Sequence, residues 1–188
     1  MSKVGLVFSP AAIAFIASVL ICGQAVAAQQ EPAVPALDLS SDIQSPGSEA
    51  LITISLSAQE GVTIGKAVAE ITYPGKILEF LEARRGLSAE AVEAEVAAVT
   101  ENPAADQSTV RVTIAAKEGD WIPSGILAEL HFKIVEKAPD ETPAALKNKV
   151  SAWSDKTPPT LIEPITGKDG EIKITANPPV FACFFYMH

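Results

Sequence analysis

Two cysteines and two histidines are all that 188 residues offer. That scarcity leaves little material for a disulfide framework or a Cys/His zinc site. Bases are short as well: 14 Lys and Arg stand against 23 Asp and Glu, for a net charge of −9. A sequence-independent nucleic-acid binder needs the opposite sign, because a phosphate backbone is repelled by excess acid. There is no Gly-x-Ser-x-Gly nucleophile elbow, no His-Glu-x-x-His helix and no phosphate-cradling glycine loop. The acids are numerous enough for the carboxylate pair of a glycosidase, yet no signature singles one out. Asp106, Asp120 and Asp169 fall near loops but lack the spaced run of oxygen ligands that calcium requires. No catalytic residue, metal site or cofactor is therefore expected, and the chain reads as a non-enzyme. What is present is 48% hydrophobic residues, enough for a packed domain, with 14 prolines and 11 glycines that mark many turns.

The first 27 residues read as an address. Lys3 is the single charge before the uncharged run Val4 to Ile21, and Ala25-Val26-Ala27 supplies the small-x-small pattern of a signal-peptidase site. Cleavage after Ala27 is expected, so that the mature product is exported to the periplasm, the cell surface or the extracellular space. The competing reading is an uncleaved membrane helix. Cys22 suggests a lipoprotein, but Ile21 stands before it where a small residue belongs. Cleavage removes Lys3 and no acid, taking the net charge from −9 to −10. Residues 28–35 follow as a polar, Pro-bearing linker.

From there alternation with period two recurs, the mark of half-buried strands. Ala36 to Leu39 is a short, weak candidate, and Ser45-Pro46-Gly47-Ser48 is a turn. Ile52, Ile54 and Leu56 share one face of the next strand. Ala67, Ala69, Ile71 and Tyr73 share a face, with Val68, Glu70 and Thr72 opposite. Pro74-Gly75 ends that strand, and a short apolar run from Ile77 to Leu81 is closed by Arg84-Arg85-Gly86. Val110, Val112 and Ile114 oppose Arg111 and Thr113. Ile126, Ala128, Leu130, Phe132 and Ile134 alternate with Leu127, Glu129, His131 and Lys133. Ala138 to Pro143 reads as a loop, Leu146 to Trp153 as a strand, and Glu171 to Thr175 as the last strand. Residues 88–99 are ambiguous. Local propensity favours a helix, whereas the strand at 110–116 needs an antiparallel neighbour. The preferred reading is a short helical turn at 88–92 followed by a strand from about Glu93 to Thr100. Eight or nine short strands without a strong helix predict an all-β, two-sheet sandwich over residues 36–176.

Several of these segments resemble the cohesin domain. They are Ala67-Val68-Ala69-Glu70-Ile71-Thr72-Tyr73-Pro74 with Ile77-Leu78-Glu79, then Ile122 to Ile134, then Gly170-Glu171-Ile172-Lys173-Ile174. The resemblance spans roughly residues 34–175. It implies a nine-stranded jelly roll related to cellulose-binding modules. It also implies a dockerin-bearing protein partner, tethered within an assembly for polysaccharide breakdown. In the family one flat sheet face receives that partner. Here the face would use the strands near Ala67–Tyr73, Glu95–Thr100, Val110–Ala116 and Lys149–Asp155, with Glu70, Thr72, Arg111 and Thr113 pointing outward. Glu129, His131 and Lys133 would lie on the opposite sheet.

Two further features compete for attention. Trp121 and Trp153 are the material for a carbohydrate-binding sandwich, the alternative reading, although core or loop packing also accounts for them. Residues 177–188 form an apolar tail holding four of the eleven aromatic residues, together with Cys183. The tail can add a strand, seat in a membrane interface or engage a partner; a span is ruled out by its length.

Overall fold

The computed structural model describes residues 34–59, 61–102 and 106–178. The expected signal segment, most of the linker and the tail beyond Pro178 lie outside the described residues. Among the described residues, ten strands and one short helix follow in chain order: β1 (Ala36–Leu39), β2 (Ser41–Gln44), β3 (Glu49–Ser57), β4 (Ile64–Tyr73), β5 (Leu78–Arg85), α1 (Leu87–Ala91), β6 (Glu95–Glu101), β7 (Ser108–Ala115), β8 (Gly125–Ile134), β9 (Thr142–Ser154) and β10 (Gly170–Ile174). They form a four-stranded sheet, β1-β3-β8-β5, and a six-stranded sheet, β2-β10-β9-β4-β7-β6. All these strand pairings are antiparallel except β2 with β10. Among the described residues no helix is long and apolar enough to cross a membrane.

Alternation is the reason for the two layers. A strand that is apolar on one side hides that side only by facing another sheet. Ile52, Ile54, Leu130, Phe132 and Ile134 from one sheet and Ala69, Ile71, Val112, Ile114, Leu146 and Ile172 from the other are buried in a single core. Phe132 anchors one end. Its ring meets Tyr73 edge-on at 5.2 Å and Phe80 at 5.5 Å, the tilted arrangement that aromatic quadrupoles favour.

The two-sheet sandwich stands as expected, and so does the choice made at residues 88–99: a five-residue helix, then strand β6. The details differ in four places. The strand count is ten rather than eight or nine, because Ser41–Gln44 pairs with β10; its polar sequence carries no strand signal, and only the neighbour makes it one. Strand β9 begins at Thr142 rather than Leu146, so Pro143, read as loop, lies in the strand. Strand β5 runs through Arg84 and Arg85 instead of stopping before them. Finally, the alternation of β8 breaks. Ala128 pairs with Ile54 but Ile126, not Leu127, pairs with Ser55. This bulge turns Leu127 into the core and leaves Ile126 partly exposed.

The helix is docked at that bulge. Gly86 donates its N–H to the Leu127 carbonyl at 2.9 Å. A Cβ at Gly86 would stand 2.6 Å from the Ile126 carbonyl oxygen, so the close approach requires glycine.

Candidate functional site

Strands β9, β4, β7 and β6, the four nominated by the resemblance, lie side by side. Their registers place outward side chains in straight rows across the sheet. One row is Lys149, Glu70, Arg111 and Val99, and the next is Lys147, Thr72, Thr109 and Glu101. On the other side of the first come Ser151, Val68, Thr113 and Ala97, then Trp153, Lys66, Ala115 and Glu95. Glu70, Thr72, Arg111 and Thr113 therefore sit together on two adjacent strands. Glu129, His131 and Lys133 are on β8 in the four-stranded sheet.

Glu70 is the hub of the charged row. Its Oε1 accepts from Arg111 Nη2 at 2.8 Å and from Nε at 3.1 Å, while Lys149 Nζ lies 3.5 Å from Oε2. The Glu70 side chain is 30% exposed, Arg111 51% and Lys149 84%. Pairs this exposed contribute about 0–1 kcal/mol to stability. Their consequence is to fix where charge is presented. Thr72 and Thr109 bring their hydroxyls to 3.3 Å from each other.

At the rim, Lys147 holds Asp169 at 2.7 Å, and Asp169 also accepts the Asn148 backbone N–H at 2.8 Å. The hydrogen bond from Lys147 first, then that from Asn148, holds the Asp169 carboxyl below its usual range.

The row Ser151, Val68, Thr113, Ala97 is different in kind. It carries no charge and no long side chain, and Val68 is only 8% exposed. Lys149, Glu70 and Arg111 border it on one side and Trp153, Lys66 and Glu95 on the other, with Val99 and Ala115 completing those rows. By side-chain length this row is a shallow uncharged trough across four strands, about 14 Å long at the usual strand spacing. The expectation from sequence identified Thr113 here but not its neighbours. Ser151, Ala97, Val99 and Lys149 went unassigned because the facing of β9 and β6 depends on register with β4 and β7. Val99 is 62% exposed, an apolar side chain on an outward grid.

The two tryptophans belong to different elements, and Trp153 lines a cavity together with Gly119 and Asp120 of the loop that leads to Trp121. Trp153 is on β9 in register with Lys66, whose Nζ lies 5.2 Å from the ring centroid, a cation–π contact. Trp121 is 51% exposed in the β7–β8 connection. His131 is partly buried on β8 between Leu51 of β3 and Glu82 of β5. Asp106 pairs with Lys76 and Asp169 with Lys147. Among the described residues no group of three or more His, Cys, Asp or Glu is arranged to hold a metal ion.

No protein-family model and no curated protein matches the sequence. Solved structures do match the fold. A chain from the complex of a CaDoc0917 variant with CaCohA2 superposes with a TM-score of 0.64 at 17% identity, covering 76% of this chain and 100% of that one. The third cohesin ScaC from Acetivibrio cellulolyticus, solved in complex with the ScaB dockerin, gives 0.62 at 14% identity, with coverages of 76% and 100%. The non-cellulosomal cohesin from the archaeon Archaeoglobus fulgidus gives 0.58 at 14% identity, with coverages of 76% and 92%. The domain thus has the cohesin fold.

Proposed function

We propose that this chain is a non-catalytic, cohesin-like module that binds a dockerin-type protein on the outer face of β9, β4, β7 and β6. The uncharged trough bordered by charged rows carries the reading. Small side chains let a partner helix, about 10 Å across, approach the sheet closely, while the Lys149–Glu70–Arg111 row and the threonine hydroxyls give direction and register. Affinity would concentrate on Thr113 and the exposed Val99, with Lys149, Glu70 and Arg111 presenting charge beside them. Dockerins accompany several of the cohesin structures this fold resembles.

Export belongs to the same proposal. It rests on the uncharged run from Val4 to Ile21 and on Ala25-Val26-Ala27, and it would place the module where polysaccharide-degrading assemblies work. Membrane association through residues 177–188 would add an anchor.

The test is capture from the native extracellular fraction by the full chain, with Thr113→Arg as the comparison. A dockerin-bearing protein retained by the natural chain and lost with Thr113→Arg supports the proposal. Recovery of polysaccharide alone would defeat it in favour of a carbohydrate-binding module.

A further inference from the structure

The outer grid of the six-stranded sheet is complementary to itself. Its lysines gather on β9 and β4, as Lys147, Lys149 and Lys66, and its far edge on β6 carries Glu95 and Glu101. A two-fold axis parallel to the strands, lying between β4 and β7, maps β9 onto the β6 of a second copy and β4 onto its β7. Each row then meets its own reverse. Glu70 faces Arg111 of the second copy, and Arg111 faces Glu70. Lys147 faces Glu101. Thr72 faces Thr109, and in the uncharged trough Val68 faces Thr113. An axis perpendicular to the strands would instead set β9 on β9 and β6 on β6, so that the lysines of β9 do not meet the glutamates of β6. Of the two, only the parallel axis brings Lys147 opposite Glu101.

We infer that a second copy of this chain docks on this face, forming a weak, salt-sensitive symmetric dimer that excludes the protein partner. The trough contributes the close contact, since its side chains are too short to hold two sheets apart. Val99, 62% exposed on the edge strand, gains cover from the aliphatic stem of Lys149 opposite. Four strands and four rows give a patch of about 20 Å by 20 Å, so both copies together bury on the order of 1,000 Å², the low end for specific association. The consequence is regulatory: a free module is self-covered, and a partner must displace the second copy.

Lys147 and Glu101 make the test, with every chain carrying Asp169→Asn because Lys147 also pairs with Asp169 of its own chain. Within one chain they are separated by β4 and β7, about 14 Å at the usual strand spacing. Energetic coupling between them therefore arises between copies. Dimerisation of the full chain would be measured by sedimentation equilibrium for the Asp169→Asn parent, Lys147→Glu, Glu101→Lys and the double exchange, with thermal melts to confirm that each folds. Two symmetry-related pairs change at once, so each single change should raise the dissociation constant about tenfold. The double exchange should return it to within about threefold of the parent value. Raising NaCl from about 0.05 to 0.5 M should weaken the parent dimer and the double exchange alike. Three results overturn the inference: a monomer up to about 1 mM, association indifferent to both single changes, or a double exchange no tighter than the singles. The dimer and the dockerin reading fail separately, because sedimentation uses no partner and capture with Thr113→Arg does not depend on the Lys147–Glu101 exchange.

Discussion

The two outer faces of the sandwich are made from the same alternation but are not equivalent surfaces. On the six-stranded sheet, β4 with β7 and β6 with β7 keep unbroken register, and β4 with β9 shifts only at its end, between Ile64 and Lys66. On the four-stranded sheet both long pairings are interrupted, between Ile54 and Ser55 and between Phe80 and Glu82. Bulges bend and twist a strand pair locally. One face is thus a regular grid of four rows. The other is a bent surface with alternating charges such as Glu49, Lys133 and Glu79 and with α1 docked at its bulge. Regular register, more than residue type, separates the face of the six-stranded sheet from that of the four-stranded one.

The largest expected effect removes the distinction altogether. Phe132→Ala deletes the ring that joins Tyr73 and Phe80, leaving a cavity in the shared core. A loss of about 3–5 kcal/mol is expected, read by chemical denaturation, and both faces should be lost together.

Gly86→Ala sharpens the comparison from the bent side. Its Cβ meets the Ile126 backbone at 2.6 Å, so a loss of about 1–3 kcal/mol is expected. Partner capture at a temperature where the variant is folded should be retained, because the grid is on the other sheet. Lost capture with an intact fold would mean that the two faces are coupled.

On the grid itself, Thr113→Arg fills the trough. It should weaken partner binding by about 2 kcal/mol or more, while Glu129→Ala on the opposite face should leave binding within about 0.5 kcal/mol. Titration calorimetry with the captured partner separates the two. Equal losses would erase the contrast between the faces.

The smallest effect is at the rim. Asp169 has its carboxyl lowered from an ordinary value of 3.8. Its stabilising contribution is therefore fully present above pH 3.8 and is lost as pH falls through the lower folded value. Melting temperature should decline through that acidic window, and Asp169→Asn should flatten part of the decline. An unchanged profile would mean that the Lys147 contact has no weight in stability.

Much of this is legible in the sequence. Alternation in β4, β7 and β10 is clean because each presents one face to the core without interruption, and so Glu70, Thr72, Arg111 and Thr113 could be set outward from sequence. Alternation sets Leu127 on the side of Glu129, yet it is buried, since a bulge is a mismatch between two strands and neither strand records it alone. Lys149 and Val99 went unassigned for a related reason: whether they share a row with Glu70 and Arg111 depends on registers joining segments far apart in the chain. Strand β2 shows the limit most plainly. Ser41-Asp42-Ile43-Gln44 has little intrinsic preference for a strand, and its parallel pairing with β10 supplies what its composition does not.

By itself the chain of residues determined that two apolar faces must meet and that charge and hydroxyls lie outside. Those are consequences of side-chain period, which is local. Which outward residues become neighbours, where the sheets bend, and that one face carries four straight rows were decided only by tertiary structure. Register is a relation between distant strands, and burial of the common core selects it.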